Sequence, residues 1–232
     1  MPVKSDAARP PSKVRLDRDT ILAAALELAA TPGVSTISFR ELGAHLSVDP
    51  TAVYRHFRNK EDLMKALLDE LALRGIAQID VPVEDWRGRL RAISMSTLRQ
   101  FELYPAIGVE AIILTTNGPG EHAAIELMLD AFSRAGLSGE DLVRHYALLA
   151  AHVLSAGANI ARARAEDATG IWLDQPVLVD PREFPLVAAN SALLAELRDD
   201  DLFLAGVEVI IDSAERTVAR APGAAQSEGV ER

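Results

Sequence analysis

Cysteine is absent from all 232 residues. That excludes a disulfide framework, a thiolate metal site and a cysteine nucleophile, and it suits the reducing cytoplasm, where the chain is expected to reside. Aromatic residues are scarce, at 5%. Strands favour aromatic and β-branched residues, whereas the abundant Ala and Leu enter helices at little entropic loss, so an all-α chain is expected. No uninterrupted apolar run reaches the roughly 18 residues that cross a membrane, so no membrane partner is expected. The first residues, MPVKSDAARPPSKVR, lack the apolar core of a secretory signal.

The signatures of enzyme chemistry are missing as well. The five histidines, His45, His56, His122, His145 and His152, form no His-x-x-His or His-x-x-x-His pair. Local spacing therefore supports no metal site. Gly118-Pro119-Gly120 lacks the Gly-Lys-Ser/Thr of a phosphate loop, and no Gly-x-Ser-x-Gly occurs. Asp199-Asp200-Asp201 is most simply a solvated helix start. No enzymatic activity, cofactor or metal is expected.

What is present is a charge asymmetry. The net charge is −10, yet residues 1–60 hold nine Lys and Arg against six acids (+3), while the remainder holds fifteen against twenty-eight (−13). A mildly basic head on an acidic body suggests that only the head meets an acidic partner. Sampling within a short segment gives the same asymmetry, so charge leaves both readings open.

Along the chain, residues 1–14 read as a flexible arm, with three prolines and few apolar anchors. A helix begins near Asp17, carries Ile21, Leu22, Ala25, Leu26, Leu28 and Ala29 at helical spacing, and stops at Thr31-Pro32-Gly33. Ser38, with Glu41 three residues on, forms a capping box for a helix through Phe39, Leu42 and Leu46. Asp49 and Pro50 then suit the N-cap and first turn of a helix reaching about Phe57. A fourth helix runs from Lys60 to about Gly75.

Further helices are expected over about 84–103, 106–116, 121–135, 139–166, 184–197 and 200–220, with a loop over 168–182. The count is about ten. The expected domains are a helix-turn-helix unit over 15–75, a larger helical unit over 76–221, and a disordered tail over 222–232.

Residues 38–57 are two short helices joined by a tight turn. Such a pair lets one helix lie across a DNA backbone while the other enters the major groove. Val53 and Phe57, four apart, share a core-facing side. Thr51, Tyr54, Arg55 and His56 remain for DNA: Arg bonds guanine bidentately, and Thr, Tyr and His reach phosphate or base edges. Arg40 and Lys60 flank the pair as candidates for the backbone. Spacing alone leaves open a pair of ordinary helices with an exposed charged face.

The residues themselves go further. LDRDTILAAALELAATPG and SFRELGAHLSVDPTAVYRHFRNKEDLMKALLDEL, around the core V-Y-R-H-F-x-N-K-E-x-L at Val53–Leu63, resemble the tetracycline-repressor (TetR) family of regulators. The resemblance covers residues 16–71. It implies a supporting helix at Ser38–Leu46 and a recognition helix at Pro50–Phe57. The implied DNA contacts are Arg40, Pro50, Thr51, Ala52, Tyr54, Arg55, His56 and Lys60, with Tyr54, His56 and Lys60 mostly on phosphate and Arg55 at a variable, base-reading place. One departure stands out, because Ser47 occupies a turn position where the family usually has Gly. If that position needs positive φ, Ser costs about 1 kcal/mol of strain.

More loosely, SGEDLVRHYALLAAHVLSAG and DLFLAGVEVIIDSAERTVAR resemble the helices that pack two subunits into a four-helix bundle in that family. Their own spacing agrees: Leu142, Tyr146, Leu149, Val153 and Ile160 form one stripe, and Phe203, Val207, Ile210, Ile211, Ala214 and Val218 another. A homodimer through about 139–166 and 200–220 is expected, since a helix-turn-helix typically needs two copies to span two half-sites. The same stripes also suit a monomer's own core.

A sensing pocket is expected in the helical body. Its candidates, chosen as polar or aromatic groups, are Trp86, Phe101, Tyr104, His122, Met128, His152, Asn159 and Trp172, each of which also suits ordinary packing. Ala-rich helices with few charges suggest a mainly apolar small-molecule effector. The reading is a ligand-responsive repressor that binds a palindromic double-stranded DNA operator as a homodimer. Its rival is a dimeric ligand-binding protein whose head no longer binds DNA, and the intact Tyr54-Arg55-His56 and Lys60 set argues against that rival.

Overall fold

The computed structural model describes residues 16–31, 33–34, 36–166 and 177–220. The expected arm 1–14, the tail 222–232 and Trp172 lie outside them. Every element among the described residues is helical, as the composition implied. In chain order they are α1 (Arg18–Ala29), α2 (Phe39–His45), α3 (Pro50–Tyr54), α4 (Lys60–Ala77), α5 (Trp86–Leu103), α6 (Pro105–Gly108), a 3-10 turn (Val109–Ile112), α7 (Pro119–Arg134), α8 (Gly139–Glu166), α9 (Pro185–Glu196) and α10 (Asp199–Arg220).

The helix starts are written locally. Asp17 accepts from the Thr20 N–H at 2.8 Å and caps α1. At α2 the expected capping box is complete: Ser38 Oγ accepts from the Glu41 N–H at 3.2 Å, and Glu41 Oε2 accepts from the Ser38 N–H at 3.1 Å. Asp49 Oδ1 accepts from the Thr51 N–H at 2.8 Å, directly before Pro50, and opens α3. Asn59 Oδ1 accepts from the Asp62 N–H at 2.8 Å and opens α4.

Two expected helices are shorter than their periodicity suggested. The third ends at Tyr54, not Phe57, because Arg55 and His56 turn out of the helix. Their N–H groups donate to Ala52 and Val53, three residues back, which tightens the last turn. The stretch 106–116 is helical only to Ile112. Beyond it, the N–H groups of Thr116 and Asn117 both donate to the Glu121 carboxylate, each at 2.7 Å, so they cannot continue a helix. Asn117 completes the reversal with φ +51°.

One apolar cluster joins α1, α2, α3 and α4, with Ile21, Leu42, Val53, Phe57, Leu63 and Leu67 fully buried. It continues without a break into Phe101, Tyr104 and Ile107 of α5 and α6. A second cluster joins α5, α7, α8 and α10 around Leu90, Phe132, Leu149, Phe203 and Val207. The long α4 belongs to the first cluster at its start and reaches the second through Ile76. It is therefore the rod that ties the small N-terminal unit to the larger one.

Candidate functional site

The α2–turn–α3 segment is held by its buried face. Val53 and Phe57 are both fully buried, so their spacing anchors the segment as expected. Gly43 sits where a Cβ would stand 3.0 Å from the Val48 carbonyl oxygen and 3.2 Å from Pro50 Cα, which is why α3 can close so tightly on α2. The turn between them has Ser47 at φ +55°, with the Val48 N–H donating back to the Gly43 carbonyl at 2.9 Å. The positive φ expected to favour glycine at this turn position is thus adopted by serine, at a cost of about 1 kcal/mol.

With that face buried, the other points outward. Thr51, Tyr54 and Arg55 are exposed, and so are Arg40 at the start of α2 and Lys60 at the start of α4. Pro50, Ala52 and His56 are half-buried beside them. The Tyr54 ring stands edge-on to Phe39, with centroids 4.4 Å apart, so its direction is fixed although 57% of the residue is exposed.

Arg40, Arg55 and Lys60 form no ion pair with the described residues. In the larger unit Arg89, Arg91, Arg134, Arg144 and Arg164 each hold a carboxylate. Uncompensated cations on one face are what an anionic backbone needs.

A residue that sequence reading did not single out completes the surface. Arg18, at the start of α1, donates to the His56 carbonyl at 3.1 Å and lies 4.2 Å above the Phe57 ring. It thereby pins the chain just after α3. A basic residue one turn before the first buried position of α1 was the available signal, but its partner is 38 residues away.

The second feature is a cavity of about 140 Å³ in the larger unit. Its walls come from α4 (Leu68, Asp69, Leu71, Ala72), α5 (Ile93, Ser94, Thr97, Gln100, Phe101), Ala111, Leu114 and Thr116, α7 (Glu121, Ala124, Ile125, Met128) and α8 (Tyr146, Ala150, Val153, Leu154). Most of this lining is apolar, so it suits a mainly apolar guest.

Of the expected pocket residues, Phe101 and Met128 line the cavity. Trp172 lies outside the described residues, and the remaining candidates stand elsewhere. Trp86 packs at the far end of the second cluster with Arg87 against its ring. Tyr104 is buried in the first cluster and receives Arg74. His122 is exposed on α7, and Asn159 is exposed on α8. His152 turns to α10, where its Nε2 meets the Phe203 carbonyl at 2.9 Å and its ring lies against that phenylalanine. Half-buried there, His152 already has a polar partner.

One end of the cavity is polar. Asp69 Oδ1 accepts from the Glu121 N–H at 2.9 Å and from Thr116 Oγ1 at 3.0 Å. Glu121 Oε2 lies 2.9 Å from the same hydroxyl. Gly118, the first residue of the α7 entry, has no capping side chain, so Asp69 of α4 caps α7 from outside. A Cβ at Gly120 would collide with the Asp69 carbonyl oxygen, so glycine is what allows α7 to start against α4. Burial, with the negative Glu121 as a further cause, holds the Tyr146 phenol above its usual range.

Two family models cover most of the chain. One, for bacterial regulatory proteins of the tetR family, matches residues 21–67; another, for the tetracyclin repressor-like C-terminal domain, matches residues 80–218. A transcriptional repressor of the helix-turn-helix type from Mycobacterium tuberculosis is 27% identical over 227 residues, covering 94% of this chain and 87% of that protein. The class A tetracycline repressor protein from Escherichia coli is 30% identical over 199 residues, covering 85% and 90%. Among solved structures, the Streptomyces coelicolor TetR family protein ActR in complex with actinorhodin superposes with a TM-score of 0.75 at 21% identity, covering 90% of this chain and 99% of that one.

Proposed function

Because the chain belongs to the bacterial TetR family of DNA-binding transcriptional regulators, which are not enzymes, we propose that it is an effector-responsive repressor binding a palindromic operator as a homodimer. The observation that carries this reading is the outward face of α2–α3–α4. It presents Arg40, Thr51, Tyr54, Arg55 and Lys60 on a frame fixed by Val53 and Phe57. Arg55 reads a base in the major groove. Tyr54, His56, Lys60 and Arg40 hold the phosphates on either side, with Pro50, Thr51 and Ala52 at the groove edge.

Dimerisation is supported by the unburied apolar faces of three helices. Val143, Leu148 and Leu154 of α8 are exposed, as are Leu204 and Val209 of α10. Pro185–Glu196 of α9 has no buried residue at all, although Leu186 and Leu193 are large and apolar. A second copy placed on α8 and α10 would cover these side chains. Two recognition helices would then stand about 34–36 Å apart, one turn of DNA.

The cavity is where the effector acts. Lys60 and Asp69 lie on one straight helix, roughly 14 Å apart along its axis at 1.5 Å per residue. An occupant that moves Leu68, Asp69 or Ala72 moves α4, and with it the spacing of the two recognition helices. Coupling of this kind is typically worth about 1–3 kcal/mol. We take 15–75 and 76–221 as the two units, tied together by α4, which belongs to both apolar clusters. No helix among the described residues is long and apolar enough to cross a membrane, which agrees with a cytoplasmic regulator.

The test is selection of bound duplexes from a random pool, followed by sequencing. An enriched palindrome supports the reading. If low salt, where phosphate contacts are strongest, yields no enriched sequence, the repressor reading fails.

A further inference from the structure

The lining of the cavity carries a charge that nothing in it answers. Asp69 and Glu121 both face it, and no lysine, arginine or histidine among the described residues lines it. Neither carboxylate takes part in an ion pair with a described residue; the nearest arginine on α4, Arg74, is held by Glu70.

Local capping accounts for part of this arrangement. The N-terminus of α7 points at the pair and supplies the equivalent of about half a positive charge. Two carboxylates carry four times that in negative charge. Thr116 has a single hydroxyl proton, yet its oxygen is within hydrogen-bond distance of Asp69 Oδ1 and of Glu121 Oε2. That proton serves one carboxylate at a time. Both bonds received by Asp69 fall on Oδ1, and those received by Glu121 fall on Oε2, so the second oxygen of each acid is not used by the cap.

A second observation comes from a different helix. Gln100 of α5 is 95% buried and lines the same cavity, and its Oε1 has no hydrogen-bond partner. A buried acceptor left empty costs about 1–3 kcal/mol, so such atoms normally meet a donor. A guest that answers both features offers a positive charge to the carboxylates and an N–H or O–H donor to Gln100. The remaining walls, Leu68, Ile93, Phe101, Met128 and Val153, require the rest of it to be apolar. A bare metal ion could use these oxygens as ligands, but it would leave the apolar walls unfilled, and no group of three or more His, Cys, Asp or Glu among the described residues is placed to hold one.

We propose that the effector is an organic ammonium: an apolar body whose protonated amine sits between Asp69 and Glu121, with Gln100 accepting a further hydrogen bond from the ligand. The inference rests on the cavity being the effector site. It also gives the ligand a grip on α4 and α7 together, since Asp69 belongs to one and caps the other.

Isothermal titration calorimetry on the full-length protein at pH 7 tests it, using 3-phenylpropylamine, 3-phenylpropanol and 3-phenylpropanoate. These share one apolar body and differ in charge. The amine is expected to bind at least about tenfold more tightly than the alcohol, as a charge-assisted bond to a half-buried carboxylate implies, and the carboxylate weakest of all. Asp69→Asn and Glu121→Gln should each shrink the preference of amine over alcohol. Gln100→Leu should weaken amine and alcohol together.

Equal affinity for amine and alcohol, a preference for the acid, or no amine binding up to millimolar concentration overturns the proposal. So does an amine preference that survives in Asp69→Asn and Glu121→Gln. If Asp69→Asn does not fold, judged by its melting curve, Glu121→Gln carries the comparison. An enriched palindrome without an amine preference removes only this inference. The absence of any enriched duplex removes the repressor reading and leaves the calorimetric result standing.

Discussion

Lys60→Ala should have two effects of opposite sign. Lys60 is the first residue of α4, where its cation faces the positive end of the helix dipole. That placement costs about 0.3–1 kcal/mol. No ion pair with a described residue is lost on its removal, and Asn59 still caps the helix through the Asp62 N–H. The variant should therefore melt at the same temperature as the parent or slightly above it. DNA binding should suffer. Each neutralised phosphate contributes about 0.9 to the slope of log affinity against log salt. Two subunits would lose about 1.8 of slope. Between 50 and 200 mM salt the parent should then lose about tenfold more affinity than the variant does. Fluorescence anisotropy on the selected operator, at four or five salt concentrations, measures both slopes. An unchanged slope would show that Lys60 does not touch phosphate. A drop in melting temperature equal to the loss of binding would show that the lysine is structural.

Three further substitutions probe other parts of the reading. Ser47→Gly removes the Cβ from a residue at φ +55°, and should stabilise the fold by about 1 kcal/mol less the extra chain entropy of glycine; chemical denaturation reads it, and a destabilised variant would refute the strain. Ser38→Ala should cost about 1 kcal/mol through loss of the α2 cap. The Ser38 hydroxyl, then its backbone N–H, holds the Glu41 carboxyl below the usual carboxylate range, so this carboxyl should titrate higher in Ser38→Ala by carbon NMR. Because that carboxyl is depressed in the folded state, its contribution is present above its ordinary value of about 4.3 and disappears as pH falls through the folded value. Val209→Glu should convert a dimer to monomer by sedimentation without loss of helicity, since Val209 is 63% exposed on α10; a dimer that survives would place the interface elsewhere.

The α1–α4 half of the molecule was legible in the sequence because its signals are short-range. A capping box spans three residues, Asp49-Pro50 is a dipeptide, and Val53 with Phe57 is one helical turn. Each fixes a backbone direction by itself, and together they leave Thr51, Tyr54 and Arg55 nowhere to go but outward. The α3 end was misjudged by one tight turn, because periodicity does not reveal where i−4 bonding gives way to i−3.

The cavity was not legible in this way. Asp69 and Thr116 stand 47 residues apart, and Arg18 and His56 stand 38 apart. Trp86, Tyr104, His122, His152 and Asn159 were selected by residue type, which says that a group needs a partner but not which partner it has. For His152 the partner is a backbone carbonyl on α10. The helices, the caps of α1 to α4 and the outward side of α2–α3 can be read from residue order alone, since they follow from dihedral preference and the 3.6-residue repeat. Which side chains enclose the cavity follows only from the packed helices, because their crossing brings α4, α5, α7 and α8 together over distances on which local chemistry is silent.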